Sequence, residues 1–367
     1  MDLEAAGLST KSCFTMLQTY AQGCVTHFQR GNYEATGWPG MVDNVVMGTL
    51  DNLLECSTTE LQRTVASLRL SEGGMGMPLA AVRAAPAYLG SWALAMRTVA
   101  EVVEAHSWES FVAKCPAIHE ALRAAENAAV AAGDGHVVRP DWIACFQEPK
   151  PKLQGEISKH ISAANRECVL RQLPEDERSL FRSNGGKGAG AFSLPPEGEE
   201  VPVMPDKHFQ VVVRDRLGCP VSPAGARCQH RRTDGSLCNA PLDRRGMHAR
   251  ICPIGGALIR KHNNVRDWAG KEHQARSGYT TEYEQRIPEW DATVTQEDGS
   301  ETVEQAILDF VSRDALTGRQ IHVDATVVCA FSTNTAQLRS RANKDGLATS
   351  QAANGKRSRY TVWQMGL

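Results

Sequence analysis

This 367-residue chain has no long apolar run. Its most apolar region, PLAAVRAAPAYLGSWALAMRTVAEVV, is broken by Arg83 and Arg97, and the 13 residues between them are too few to cross a bilayer. No membrane role is expected. The start, MDLEAAGLSTKSC, lacks the basic segment and apolar stretch of a secretory leader, and the 11 cysteines fall into no compact ladder of pairs. A reducing compartment, nuclear or cytoplasmic and not secreted, is therefore the expectation. Neither glycine-rich stretch, RLSEGGMGMP or SNGGKGAG, carries the Lys-Ser/Thr pair of a phosphate-cradling loop.

Net charge is also scarce, at −2, but the total hides an uneven distribution. Residues 1–206 carry a net −8, 207–276 a net +9, 277–330 a net −8 and 331–367 a net +5. An acidic segment between two basic ones suits a polyanion-binding surface around a carboxylate site that holds a cation; solvated faces of random sign are the plainer alternative.

The length allows two or three domains. Residues 1 to about 130 read as helices: Val46, Leu50, Leu53 and Leu54 recur at three- and four-residue spacings. Gly73, Gly74 and Gly76 read as a connector to a second helical run from Pro78, and 117–133 is alanine-rich and helical. The Gly- and Pro-rich run 183–202 marks a boundary, and 203–218 reads as a short element leading onward.

The segment beyond that element is chemically denser. Cys228, Cys238, His248 and Cys252 form the pattern C-x9-C-x9-H-x3-C, with RTDGS and DRRG as turn-forming insertions. Three thiolates and an imidazole suit a closed tetrahedral zinc site of structural role. Free buried cysteines plus a surface histidine are the alternative, and Cys219 and His230 are spare ligands. Arg231, Arg232, Arg244, Arg245 and Arg250 interleave the cluster, where they would meet phosphates or form a solvated basic face.

Gly255 and Gly256 then precede a helix on which Leu258, His262, Val265 and Trp268 or Ala269 share a face, with Arg260, Lys261 and Arg266 toward its other sides. His262 by itself reads most simply as a core histidine. Two β-like runs, QAILDFVSR and RQIHVDATVV, flank the turn signal DALTG. With Ala315 to Gly318 as the loop, Asp314 pairs with Arg319 and Asp309 lies opposite Asp324. Cross-strand partners stand about 5 Å apart, close enough for two carboxylates to share one Mg²⁺, whereas a slip of one residue sends them to opposite faces. The alternative is that one aspartate faces solvent and the other caps a turn.

In this order, the C…C…HARIC cluster, the RKHNNVRD helix, EQRIPEW and the paired AILDFVSRD and IHVDATVV segments resemble the C-terminal region of LINE-type non-LTR retrotransposon reverse transcriptases, which end in a Cys/His zinc knuckle and a restriction-enzyme-like endonuclease. RLSEGGMGM and AAPAYLGSW resemble the stretch after the polymerase thumb. The resemblance implies an α+β chain: a helical thumb-like region over 1–130, a variable helical region and Gly/Pro-rich linker over 131–206, a zinc knuckle over 207–256 and a PD-(D/E)xK-like α/β nuclease over 257–367. It further implies an endonuclease that nicks DNA with a divalent metal. Asp309 and Asp324 would be the Mg²⁺ ligands, Glu284 an additional acid, and Lys344 the displaced lysine, with Arg341 as its substitute. Arg231, Arg232, Arg244, Arg245, Arg260, Lys261, His262 and Arg266 would contact DNA, with RNA as a second possible substrate. Leu308 stands before Asp309 where such motifs have proline. The chain has no Asp-Asp pair, so the polymerase palm is absent and is expected in a missing upstream region. The competing expectation is a noncatalytic, zinc-dependent nucleic-acid-binding relic of such an element.

Overall fold

The structure, a computed structural model, describes residues 7–33, 37–77, 79–190, 204–296 and 299–364. The expected linker over 183–202 thus falls largely outside the described residues, as does Pro78. The chain divides into two units, between Val221 and Ser222.

The first unit is helical. It runs through α1 (Thr10–Met16), α2 (Gln22–Gly31), α3 (Trp38–Leu54), α4 (Glu60–Ser67), α5 (Ala80–Val102), α6 (Trp108–Lys114), α7 (Pro116–Ala132), α8 (Trp142–Gln147), α9 (Leu153–Gln172), α10 (Glu175–Ser183) and α11 (Asp206–Leu217). On α3 the spacing read from the sequence is borne out, since Val46, Leu50, Leu53 and Leu54 are all buried. Val46, Leu50 and Leu54 join Phe14, Leu68, Met75, Met77 and the α11 residues Phe209, Val213 and Leu217 in one core. A second core lies along α5, α7 and α9 around Leu89, Met96, Phe111, Leu122 and Ile157. The four-residue spacing of Phe209, Val213 and Leu217 explains why the boundary lies after α11 and not at 206/207. That apolar stripe is covered within the helical unit, with Phe209 set edge-on to Phe14 at 5.5 Å between ring centroids.

Two polar devices fix this unit. The α5 N-terminus has no capping side chain of its own at Leu79, and Asp43 supplies one from α3 by accepting hydrogen bonds from Ala80 N at 2.5 Å and Ala81 N at 2.9 Å. The glycine connector is held by Arg216 of α11, whose buried guanidinium donates from Nε to Gly74 O at 2.8 Å and from Nη2 to Leu70 O at 2.7 Å. Burial pushes that guanidinium down to about 10, so it remains charged at neutral pH. Glycine is required at position 74: a Cβ there would stand 2.2 Å from Leu68 O.

The second unit mixes helix and sheet, so the chain as a whole is α+β. After an irregular knuckle come α12 (Met247–Ile251) and α13 (Ala257–Ser277). The remaining elements are β1 (Thr280–Arg286), β2 (Ala292–Thr295), β3 (Glu301–Glu304), β4 (Ile307–Arg313), β5 (Gln320–Val323), α14 (Thr335–Asn343) and α15 (Leu347–Gln364). β1, β4 and β5 form an antiparallel sheet with β4 in the centre, and β2 and β3 form a separate ribbon. Leu308 to Ser312 of β4 are all buried, as a central strand covered on both faces requires.

No helix among the described residues is long and apolar enough to cross a membrane. Replacing Arg216 by Met removes the donors of one buried and one partly buried carbonyl, the buried one worth about 1–3 kcal/mol. Thermal unfolding followed by circular dichroism is expected to show a helical transition lower by roughly 5 °C or more, with an unchanged far-ultraviolet spectrum well below that transition.

Candidate metal centre and paired aspartates

The knuckle folds as an antiparallel turn. Cys228 N donates to Ala240 O at 2.8 Å, Asn239 N to Cys228 O at 3.1 Å and Cys238 N to His230 O at 2.7 Å. At its tip Asp234 accepts from Ser236 N at 2.8 Å, and Gly235 takes the positive φ that the turn demands. Asp243 makes the second turn by accepting from Arg245 N at 2.7 Å and Met247 N at 3.2 Å. This starts α12, which carries His248; Cys252 stands just past its last residue, one helical turn on.

Ligand atoms of Cys228, Cys238, His248 and Cys252 consequently lie within 4.8 Å of one another. His248 Nε2 is 3.3 Å from Cys238 Sγ, and Cys252 Sγ is 3.8 Å from it. The backbone N–H of Ala240 is the chief reason the Cys238 thiol falls to about 7, with His248 and the neighbouring thiols adding to it. Burial raises Cys252, and the crowding thiols raise it further against a hydrogen bond from Ile254 N. Crowded thiols that cannot all ionise, one of them already favoured as thiolate, are a donor set that a soft cation satisfies. This Cys3His group could hold a metal such as zinc. Of the spare ligands, Cys219 packs in the helical core and His230 stays outside the group.

The β4–β5 hairpin has the register read from the sequence. Its turn is closed by Asp314 N on Arg319 O at 2.9 Å, and Phe310 pairs with Val323 and Val311 with His322. One step further on, Asp309 faces Asp324. The second strand is shorter than RQIHVDATVV suggests and ends at Val323, because Ala325 N turns out of the ladder to donate to Asp309 Oδ2 at 2.5 Å. Asp309 is 9% exposed. Its other oxygen receives His262 Nε2 at 2.7 Å. Burial, and next the Asp324 carboxyl beside it, push the Asp309 pKa up, while His262 and Ala325 N pull the other way. Neither aspartate is a plain solvent-facing or turn-capping group.

The cation at this pair comes from α15. Lys356 Nζ contacts Asp324 Oδ1 and donates to Ala325 O at 2.6 Å. Lys344 is exposed just past α14, and Arg341 braces the carbonyls of Cys329, Ala330 and Phe331 at 3.3 to 3.5 Å. Lys356 stands 32 residues after Asp324, in a basic run with no distinguishing spacing, so only the packing of α15 singles it out. Glu284 interrupts the β1–β4 ladder opposite Asp309 with φ +52, a conformation costly for glutamate. Its exposed carboxylate is ion-paired with Arg266 and is not drawn into the aspartate cluster.

The basic residues separate into two groups. Arg231, Arg232, Arg244, Arg260 and Lys261 lie toward solvent. Arg245 is buried, Arg266 is held by Asp267 at 2.8 Å and by Glu284, and His262 is held by Asp309. The α13 face expected to be apolar and covered is not: Leu258 is 43% and Trp268 62% exposed. Of that face His262 reaches the sheet, at Asp309, and the helix otherwise approaches it through Gly270, where a Cβ would come 2.5 Å from Tyr283 Oη, and through His273 beside Phe310. The absence of a side chain at Gly270 decides which face can approach.

No family model and no curated protein matches the chain.

Metal content measured by mass spectrometry is expected to be one equivalent of a zinc-like ion per chain, lost in Cys238→Ser and His248→Ala. Because protons compete for the thiolates, metal affinity is expected to weaken as the pH falls, with the raised Cys252 thiol competing first and Cys238 adding to it below about 7. Chelation should expose 222–256 to protease; undiminished resistance with the metal gone would contradict this.

Proposed function

We propose that the second unit is a divalent-metal-dependent DNA endonuclease module of a retrotransposon reverse transcriptase, nicking target DNA to prime reverse transcription. The single observation carrying this reading is that Asp309 of β4, Asp324 just past β5 and Lys356 of α15 converge in one largely buried cluster. Like-charged carboxylates at such range resist joint ionisation, and a cation stabilises them in that state. Carboxylate and carbonyl oxygens are also the donors that Mg²⁺ prefers.

In this reading Asp309 and Asp324 hold Mg²⁺, which when bound supplies Lewis-acid activation of water and of the scissile phosphate. His262 orients Asp309 through the 2.7 Å contact to Oδ1, leaving Oδ2 to Ala325 N. Lys356 is poised beside Asp324 to meet phosphate charge as it develops. Zinc in the Cys3His group has a structural part: it fixes the turn that displays Arg231 and Arg232. Gly255, whose Cβ would come 2.6 Å from Arg231 O, packs that turn against the lead into α13, which carries Arg260, Lys261 and His262. The exposed cations among these supply the phosphate contacts.

One observation favours a second reading. Lys356 already neutralises Asp324 within the fold, as a structural ion pair would. The chain would then be a noncatalytic nucleic-acid-binding relic.

Nicking of supercoiled plasmid with Mg²⁺ separates the two. Asp309→Ala, Asp324→Ala and Lys356→Ala are each expected to lose about 100-fold or more, and Lys344→Ala to stay near wild type. The raised Asp309 pKa sets the pH dependence of metal binding: in the metal-free site protonation persists above the ordinary value of about 4, so the Mg²⁺ concentration needed for half-maximal nicking is expected to rise as the pH falls. Salt-sensitive binding without nicking by any variant would leave the second reading.

A further inference from the structure

The helical unit holds a cleft that the nuclease reading does not use. α5 and α9 touch where Gly90 meets Gln154, a Cβ at Gly90 standing only 2.4 Å from Gln154 Cβ. Two turns along both helices the walls part into a cleft of about 300 Å³. One wall is polar: Gln154, Ser158, Ser162 and Asn165 recur along α9 at helical spacing. The facing wall brings Arg83 of α5 and Arg69 of the α4–α5 connector. Leu68, Val82 and Ile161 add an apolar strip beside them.

The charge within this cleft is unbalanced. Among the described residues no carboxylate lines it. Glu72, adjacent, is engaged by the Ser162 hydroxyl and by Arg69 N at 3.3 Å. Arg83 makes no side-chain hydrogen bond or ion pair to a described residue, yet burial, and then the nearby cation Arg30, depress its pKa. A half-buried guanidinium beside a second cation favours an anion, and its planar fork matches the oxygens of a phosphate. Opposite, the Ser158 hydroxyl and the amides of Gln154 and Asn165 supply further neutral donors, the Ser162 hydrogen being taken by Glu72.

We propose that this cleft between α5 and α9 is a binding site for a small phosphate monoester of nucleotide size, with Arg83 as its phosphate ligand. A long polyanion is disfavoured because residues 1–206 carry a net −8, which repels extended phosphate backbones while leaving the local cationic pair intact. The apolar strip receives the uncharged part of the ligand, and a 300 Å³ space is at the lower end of small-ligand sites.

Isothermal titration of the full chain tests this with adenosine monophosphate, inorganic phosphate and a ten-nucleotide single strand at fixed ionic strength. Any binding of the strand is expected to be independent of Arg83, whereas adenosine monophosphate is expected to bind with 1:1 stoichiometry and more tightly than inorganic phosphate. Arg83→Gln should weaken it at least tenfold and Arg83→Lys less. Circular dichroism checks that each variant is folded, and Arg69→Gln gives a second, independent loss. Absence of mononucleotide binding, unchanged affinity in folded Arg83→Gln, or a strand affinity that falls as far as the mononucleotide's in Arg83→Gln would each overturn the proposal. Nicking activity enters none of these readouts, so the two readings stand or fall separately.

Discussion

Two carboxylates held face to face at the end of a hairpin constrain the whole second unit. Asp309 sits in a strand buried on both faces and Asp324 at the point where its partner strand leaves the sheet. Ionising both in so little solvent is unfavourable, and the surrounding elements answer that cost. α13 presents His262, α15 presents Lys356, and the Ala325 peptide turns its N–H inward and so ends β5. The short strand, the unusual backbone of Glu284 on the neighbouring strand and the seating of two helices all occur around this one electrostatic problem.

The knuckle solves a different problem with similar economy. It relies on two carboxylate-capped turns and on the positive-φ glycines Gly235 and Gly246 within them to bring four donor atoms within 4.8 Å. Its close contact through Gly255 with Arg231 O fixes the turn to the lead into α13, the helix whose His262 holds Asp309. A metal in the knuckle would therefore stabilise a segment continuous with the helix that supports the acid pair.

The helical unit is stabilised conventionally, by two apolar cores, but its connections depend on buried polar groups. Asp43 caps a helix distant in sequence, and Arg216 satisfies carbonyls in a glycine turn that tolerates no side chain at position 74. Each is costly to bury and destabilises the fold if its partner is removed. The cleft around Arg83 differs in leaving a desolvated cation without such a partner among the described residues, and on that contrast its assignment as a ligand site rests.

The amino-acid sequence by itself determined the local and periodic features. Helical spacing identified the buried face of α3, turn residues set the hairpin loop at 315–318, and strand alternation then set Asp309 against Asp324. The Cys3His grouping was legible for the same reason, since His248 and Cys252 lie one turn apart and the inserted turns are recognisable from Asp and Gly. Only the tertiary structure decided what depended on the rotation and docking of whole elements. It placed α11 with the helical unit, turned α13 so that Gly270 and His262 rather than Leu258 and Trp268 met the sheet, and brought Lys356 to the aspartates. Local rules fix neighbours along one strand or one helix, whereas contacts between distant elements depend on which faces can approach closely, and a missing side chain or a long lysine settles that only once the chain is packed.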